Sequence, residues 1–289
     1  MTDRDGYVPC VAGELFYESR GLNGGTPLVA VHGGPGFTGY YLEPLFDLRD
    51  MVDVVCYDQS GCGRARRAGA RKDVSIAGFV DELERLREAL GVNQMHLLGH
   101  SFGGVIVGEY ALAYPERARS VIFACASLDM PRWIADGERL LGGMPLMQKM
   151  IIREGLRTGQ YFSEPFLRAL GAYYAKHVYG FEEDKPDCVQ RAERESDTLT
   201  YQSVWGPNEL VVQGLCKDYN LAPRLSKITA PALFMCGRFD EATPEAHHYF
   251  SSCLEGSRCH IFERSAHHPQ ITEREEFLSV VREFVGGAR

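Results

Sequence analysis

The sequence predicts an α/β protein: a mostly parallel, doubly wound sheet interrupted by an inserted group of helices. Three observations carry this. Short apolar runs alternate with helical patterns along most of the 289 residues. Glycine-rich loops follow directly on several of those runs, where open α/β sheets place their sites. Between about residues 128 and 222 the alternation stops, and then it resumes. The division implied is a core of 1–127 and 223–289 and a helical cap of 128–222.

In chain order, Gly13-Glu-Leu-Phe-Tyr-Glu18 alternates weakly and predicts an antiparallel edge strand. Asn23-Gly-Gly-Thr-Pro27 reads as a turn. Leu28-Val-Ala-Val31 is a short buried strand that runs straight into His32-Gly-Gly-Pro-Gly36. Consecutive glycines at that place let a backbone N–H face a ligand at close range. Met51–Tyr57 is the next strand and ends in Asp58-Gln-Ser-Gly-Cys-Gly63. Ser75 can cap a helix to about Leu90, with Ile76, Phe79, Val80, Leu83, Leu86 and Leu90 at the 3.6 period.

Met95-His-Leu-Leu-Gly-His-Ser-Phe-Gly-Gly104 then reads as an apolar strand, a sharp turn with Ser101 at its tip, and a helix over about Val105–Tyr114. Such a turn closes only if its flanking side chains are nearly absent, and it raises a hydroxyl above the sheet edge. Alone, G-x-S-x-G is weak and fits an ordinary β–α turn; His32–Gly36 is much rarer by composition. Arg119–Cys125 is a further strand. From Leu128 to Ala222 no buried strand is found. Pro231–Gly237 resumes the rhythm and is followed by Arg238-Phe-Asp240-Glu241. A helix starts near Pro244. Arg258–Phe262 is the last strand, then Ser265-Ala-His267-His268, and a final helix carries Phe277, Val280, Val281 and Phe284.

Bulk properties narrow the function. The formal net charge of −8 speaks against nucleic acid or an anionic membrane as partner. The basic run Arg64–Arg67 with Arg71 and Lys72 reads as a solvated loop. The N-terminus lacks a signal-like apolar stretch, and no run approaches the length of a membrane span. The nine cysteines form no C-x-x-C pair and fit the reduced thiols of a cytoplasmic protein. Adjacent histidines at 247–248 and 267–268 are poor metal spacing. No metal and no cofactor are expected.

Ser101, Asp240, His267 and the glycines of 33–36 all lie just past strand ends, in the chain order serine, acid, histidine. His267, with His268 as rival, is the candidate base that takes the serine proton; Asp240 would orient the imidazole. The backbone N–H groups of Gly34 and Phe102 are the candidate oxyanion donors.

HGGPG, DQSGCG, GHSFGG, GRFDE and SAH together resemble the α/β-hydrolase fold and, within it, the proline iminopeptidases, most of all the branch of the tricorn-interacting aminopeptidase. The resemblance covers nearly the whole chain and includes Trp205-Gly-Pro-Asn-Glu209. It implies that Ser101, Asp240 and His267 form the triad and that Gly34 and Phe102 form the oxyanion hole. It also implies that Glu209 and Glu241, with help from Tyr201, hold a substrate's free amino group. The chain departs from the family pattern at Ala65, where a serine is usual, and at His100 and Phe102, where many members carry Gly and Trp.

The activity implied is removal of an N-terminal proline, or small or apolar residue, from a short peptide or an aminoacylated small molecule. Two rivals stand beside it. One is a carboxylesterase or other acyl hydrolase, which needs no site for a cation. The other is a non-catalytic binding protein, which would be expected to lose a triad member. Ser101 stands where an epoxide or haloalkane hydrolase would require an aspartate. Oligomeric state is not encoded in any pattern read from the sequence.

Overall fold

The computed structural model describes residues 3–21, 24–69, 71–180 and 185–288. Its strands are β1 (Arg4–Cys10), β2 (Gly13–Arg20), β3 (Leu28–Val31), β4 (Val54–Asp58), β5 (Met95–His100), β6 (Ala118–Ala124), β7 (Ala232–Gly237) and β8 (Arg258–Phe262). They form one sheet in the order β1-β2-β4-β3-β5-β6-β7-β8. Strand β2 runs antiparallel to both of its neighbours, and every pairing from β4 across to β8 is parallel.

The sheet buries both faces because neighbouring residues on a strand point opposite ways. On β3, Val29 and Val31 enter one apolar cluster while Leu28 and Ala30 enter the other; Leu97 and Leu98 of β5 divide in the same way. Helices α1 (Ile76–Leu90) and α2 (Gly103–Ala113) fill the first cluster with Phe79, Leu83, Val105 and Ile106. The Ser75 hydroxyl caps α1 by accepting from the Gly78 N–H at 3.0 Å, and Gly91 ends it at φ 69°. A 3₁₀ segment, Gly39–Leu48, packs Tyr40, Leu42 and Leu45 into the second cluster.

The N-terminal expectation is corrected. The strand at 13–18 is antiparallel but not at the edge, because β1 folds back on it and takes that position. Gly6 and Pro9 hide β1 from a propensity reading, and only Val8 of it is buried. An edge strand tolerates Pro because its missing N–H can face solvent. Of the predicted turn at 23–27, Asn23 lies outside the described residues, and Gly25 and Thr26 form a bend.

The basic run is also not a solvated loop throughout. Arg64 pairs with the buried Asp58 at 2.7 Å and with Glu18 at 3.0 Å, and lies over the rings of Phe16 and Tyr40. Arg71 is buried against Glu82 at 2.7 Å. Spacing along the chain cannot reveal acids that approach from β2, β4 and α1. Arg66 and Arg67 remain exposed.

Between β6 and β7 lie α3 (Met130–Gly142), α4 (Leu146–Thr158), α5 (Glu164–Tyr174), a π-helical turn over Ala175–Tyr179, α6 (Asp187–Arg194) and α7 (Thr198–Val204). Among the described residues, this stretch contributes no strand to the sheet, only the isolated bridges Asp129–Asn220 and Asn208–Val211. Leu141, Ile152, Phe166 and Leu170 give α3–α5 a small apolar core of their own. Helices α8 (Pro244–Ser252), α9 (Pro269–Thr272) and α10 (Arg274–Gly287) complete the chain. No helix among the described residues is long and apolar enough to cross a membrane.

Candidate active site

A cavity of about 290 Å³ opens beyond the carboxyl ends of β3, β5, β7 and β8, and Gly34, Ser101, Glu241 and His267 all line it. The turn after β5 explains how Ser101 reaches it. Ser101 sits at φ 56°, a left-handed conformation that costs a side chain about 1–2 kcal/mol. The Ser101 N–H donates to the Ala124 carbonyl at 2.9 Å, and the Gly104 N–H donates to the Ser101 carbonyl at 2.9 Å. No other residue could replace the flanking glycines. A Cβ on Gly99 would lie 2.3 Å from the Gly103 carbonyl oxygen, and one on Gly103 would lie 2.2 Å from that of Val31.

The loop after β3 lies against this turn. A Cβ on Gly33 would approach the Ser101 Cβ to 2.7 Å and the Phe102 N to 3.2 Å. The Gly33 carbonyl accepts from His32 Nδ1–H at 2.9 Å and from the Phe37 N–H at 3.3 Å. A trans peptide points its N–H opposite to its C=O, so these bonds also orient the Gly34 N–H. Among the described residues, neither the Gly34 nor the Phe102 N–H finds a backbone acceptor. His32 is itself held: its Nε2 accepts from the Gln59 N–H at 3.1 Å, and its carbonyl accepts from the Gln59 amide at 3.0 Å. Burial lowers His32 to about 4, which keeps it neutral and able to accept. Thus the HGGPG and DQSGCG stretches form one unit.

Asp240, three residues past β7, is buried and accepts from His267 Nδ1–H at 2.7 Å and from the Ala242 N–H at 2.8 Å. Burial opposes the charge on His267, but the charge and hydrogen bond of Asp240, with Glu209 beyond, outweigh it and raise the imidazole above its ordinary value. Burial would likewise raise Asp240; the charge and hydrogen bond of His267, the Cys125 thiol and His247 outweigh it, and the carboxyl is lowered. His268 is placed differently. It stacks on His100 with 5.6 Å between centroids, its Nδ1 accepts from the Gln270 amide at 3.1 Å, and burial holds it well below the usual imidazole range. Cys125, Asp240 and His267 are the one group of potential metal ligands among the described residues, within 4.8 Å of each other. The 2.7 Å bond between the last two already uses His267 Nδ1.

Glu209 and Glu241 reach the same cavity from different elements. Glu241 follows Asp240, and its N–H donates to the His177 carbonyl at 3.1 Å. Glu209 follows α7; its carboxylate accepts from the Tyr201 hydroxyl at 2.8 Å and its carbonyl from Trp133 Nε1–H at 2.8 Å. Burial raises Glu209 to about 7 despite the Tyr201 bond and the charge of His267. Burial, then Glu209 and Asp240, raise Glu241 well above the carboxylate range. Glu241 Oε2 is buried without a hydrogen-bond partner among the described residues.

All the residues singled out in the sequence therefore lie at or beside one cavity. Others in it carried no signal. Tyr41, Tyr174, Tyr179 and Glu193 line it from the 3₁₀ segment and the inserted helices, with no motif around them.

Comparison with known proteins follows the same lines. Residues 26–274 match the family model described as the alpha/beta hydrolase fold. The chain is 37% identical to the proline iminopeptidase of Heyndrickxia coagulans over 97% of its own length and 98% of that protein. It is 33% identical to that of Saccharolobus solfataricus over 97% and 92% of the two chains. The crystal structure of proline iminopeptidase from Mycobacterium smegmatis superposes with a TM-score of 0.87 at 28% identity, covering 99% and 98% of the two chains.

Proposed function

We propose that this chain, which belongs to the α/β-hydrolase fold and within it to the proline iminopeptidase family, releases an N-terminal proline, or small or apolar residue, from short peptides through an acyl-enzyme. It is a serine hydrolase of the aminopeptidase type. The observation that carries the substrate reading is the pair Glu209 and Glu241. A buried carboxylate, Glu241, and a half-buried one, Glu209, line one cavity with Ser101 and His267, and among the described residues one carboxylate oxygen of Glu241 has no hydrogen-bond partner. Like charges so placed destabilise each other until a cation enters. A substrate α-ammonium is such a cation, and it can donate to both.

In this reading Ser101 Oγ attacks the carbonyl of the N-terminal residue. His267 takes the hydroxyl proton through Nε2, since Nδ1–H is committed to Asp240, and Asp240 stabilises the imidazolium. The N–H groups of Gly34 and Phe102 receive the oxyanion, helped by the positive end of α2. His267 then returns the proton to the leaving amine. Water, activated by the same imidazole, releases the amino acid from Ser101.

Residues 128–222 act as a cap that limits entry to chain ends. Efficient cleavage inside a long N-blocked peptide would contradict that role. An aminoacylated small molecule fits the same site, since only the acyl part need carry the ammonium. The nine cysteines are free thiols, which supports a reducing, cytoplasmic setting.

The test is a panel of aminoacyl-arylamides run beside simple aryl esters and N-acetylated versions. Free aminoacyl-arylamides are expected to be cleaved well and their N-acetylated forms hardly at all. Equal cleavage of both would replace the aminopeptidase reading with that of an ester hydrolase.

A further inference from the structure

We propose that His100 and Tyr41 are positioning residues that form a one-way hydrogen-bond relay from the oxyanion loop, through the serine turn, to the backbone of the catalytic base. The proposal rests on reading Ser101 and His267 as nucleophile and base, and goes beyond it.

The Gly33 N–H donates to the Tyr41 hydroxyl oxygen at 2.8 Å. That hydroxyl keeps its own proton to give, and His100 Nδ1 lies 3.0 Å from it. Across the ring, His100 Nε2 lies 2.7 Å from the His267 carbonyl oxygen. A carbonyl can only accept, so Nε2 carries the proton and Nδ1 accepts from Tyr41. The direction is thereby fixed at every link. A second proton on His100 would set Nδ1–H against the Tyr41 hydroxyl. Burial, then the charge of His267, lower His100 to about 3 and keep it neutral.

The placement of the relay gives it a purpose. Its first link holds Gly33, whose backbone packs directly on Ser101 and the Phe102 nitrogen. Its last link holds the main chain of His267, whose N–H is held from the other side by the Val178 carbonyl at 3.1 Å. His100 is the residue just before Ser101, so the middle link belongs to the nucleophile's own turn. Three loops from separate strands must meet within fractions of an ångström for proton transfer and oxyanion capture. Relay bonds between buried groups, with His100 and Tyr41 exposed by only 1% and 2%, set those spacings.

The test uses the full chain with both an aminoacyl-arylamide and an uncharged aryl ester. Tyr41→Phe deletes one oxygen of the relay. Its kcat is expected to fall roughly 10–100-fold on both substrates, with KM changed less than about threefold, as misplacement of reacting groups does. His100→Leu is expected to lose at least as much. His100→Gln, which keeps an acceptor and a donor, is expected to recover most of the loss. The double variant Tyr41→Phe/His100→Leu is expected to be no worse than His100→Leu, because both cut one chain. The rate of Ser101 labelling by a neutral fluorophosphonate is expected to fall in parallel.

Wild-type kcat in Tyr41→Phe, a rise in KM alone, or losses that multiply in the double variant would overturn the relay. If His100→Leu does not fold, Tyr41→Phe and His100→Gln still decide. A wild-type chain that is neither labelled at Ser101 nor active on either substrate would instead overturn the underlying site reading, and the relay with it.

Discussion

The two sides of the cavity are built by different means. On the sheet side the important groups are mostly backbone: the Gly34 and Phe102 N–H groups and the forced conformation of Ser101. Backbones packed so closely that a Cβ on Gly33, Gly99 or Gly103 would meet an atom within 3 Å, together with buried hydrogen bonds, hold them. On the helical side the groups are side chains, Tyr201 within the short helix α7 and Glu209 in the chain after it. The two sides are stitched together at the π-helical turn. Its His177 and Val178 carbonyls accept from the Glu241 and His267 N–H groups, both at 3.1 Å, and His177 Nδ1–H donates to the Phe239 carbonyl at 2.8 Å. In the proposed reading acyl transfer rests on the strand ends, while the carboxylate pair is shared, Glu241 coming from the loop after β7 and Glu209 from the inserted segment.

The largest expected effect tests the sheet side alone. Ser101→Ala is expected to lower kcat by about 10⁴-fold or more on every substrate while leaving the melting temperature near that of the wild type. Near-normal turnover in that variant would break the comparison at its base.

A smaller and selective effect is expected at the carboxylate pair, where the two sides meet. Glu209→Gln or Glu241→Gln is expected to cost roughly 2–4 kcal/mol in kcat/KM for aminoacyl-arylamides, the range for leaving a buried charge unpaired. The same changes are expected to cost far less with an uncharged ester of equal size. N-acetylating the substrate and mutating both glutamates are expected not to add, since both remove one interaction. Equal losses on charged and neutral substrates would remove the distinction between the acyl-transfer groups and the charge-reading pair.

The smallest effect is one of protons. Glu209 is raised to about 7 and Glu241 is pushed well above the ordinary carboxylate range, both first by burial, so the empty pair holds on to a proton near pH ~6.5. An entering ammonium stabilises the ionised forms, lowers both values and expels protons. Affinity is therefore expected to rise with pH through the titration of the pair. It is then expected to fall above about pH 8 as the substrate amine, near pKa ~7.7–8.0, loses its own proton. Calorimetry of Ser101→Ala with an uncleaved aminoacyl-arylamide, in buffers of different ionisation enthalpy, is expected to show net proton release on binding at about pH 6.5. A buffer-independent enthalpy at pH 6.5 would remove the pair's role as a charge sensor.

Much of the sheet is legible in the amino-acid sequence. The apolar runs at 28–31 and 232–237 announce buried parallel strands because both faces of each are covered, so polar residues do not alternate in. The turns at Ser101 and at Gly33–Gly34 are legible because their geometry excludes every residue but glycine at particular places, which leaves a motif. The acid and the base are legible by chain order and by position just past strand ends.

Only the tertiary structure could decide the rest. That β1 covers β2 and that Arg64 and Arg71 are paired depend on groups brought from far along the chain. The relay through Tyr41 and His100 joins residues 8, 59 and 167 positions apart. Local sequence determines what a segment can adopt, because sterics and periodicity act within a few residues. Which buried donor meets which acceptor is settled by packing, where an unpaired partner costs about 1–3 kcal/mol and a paired one does not.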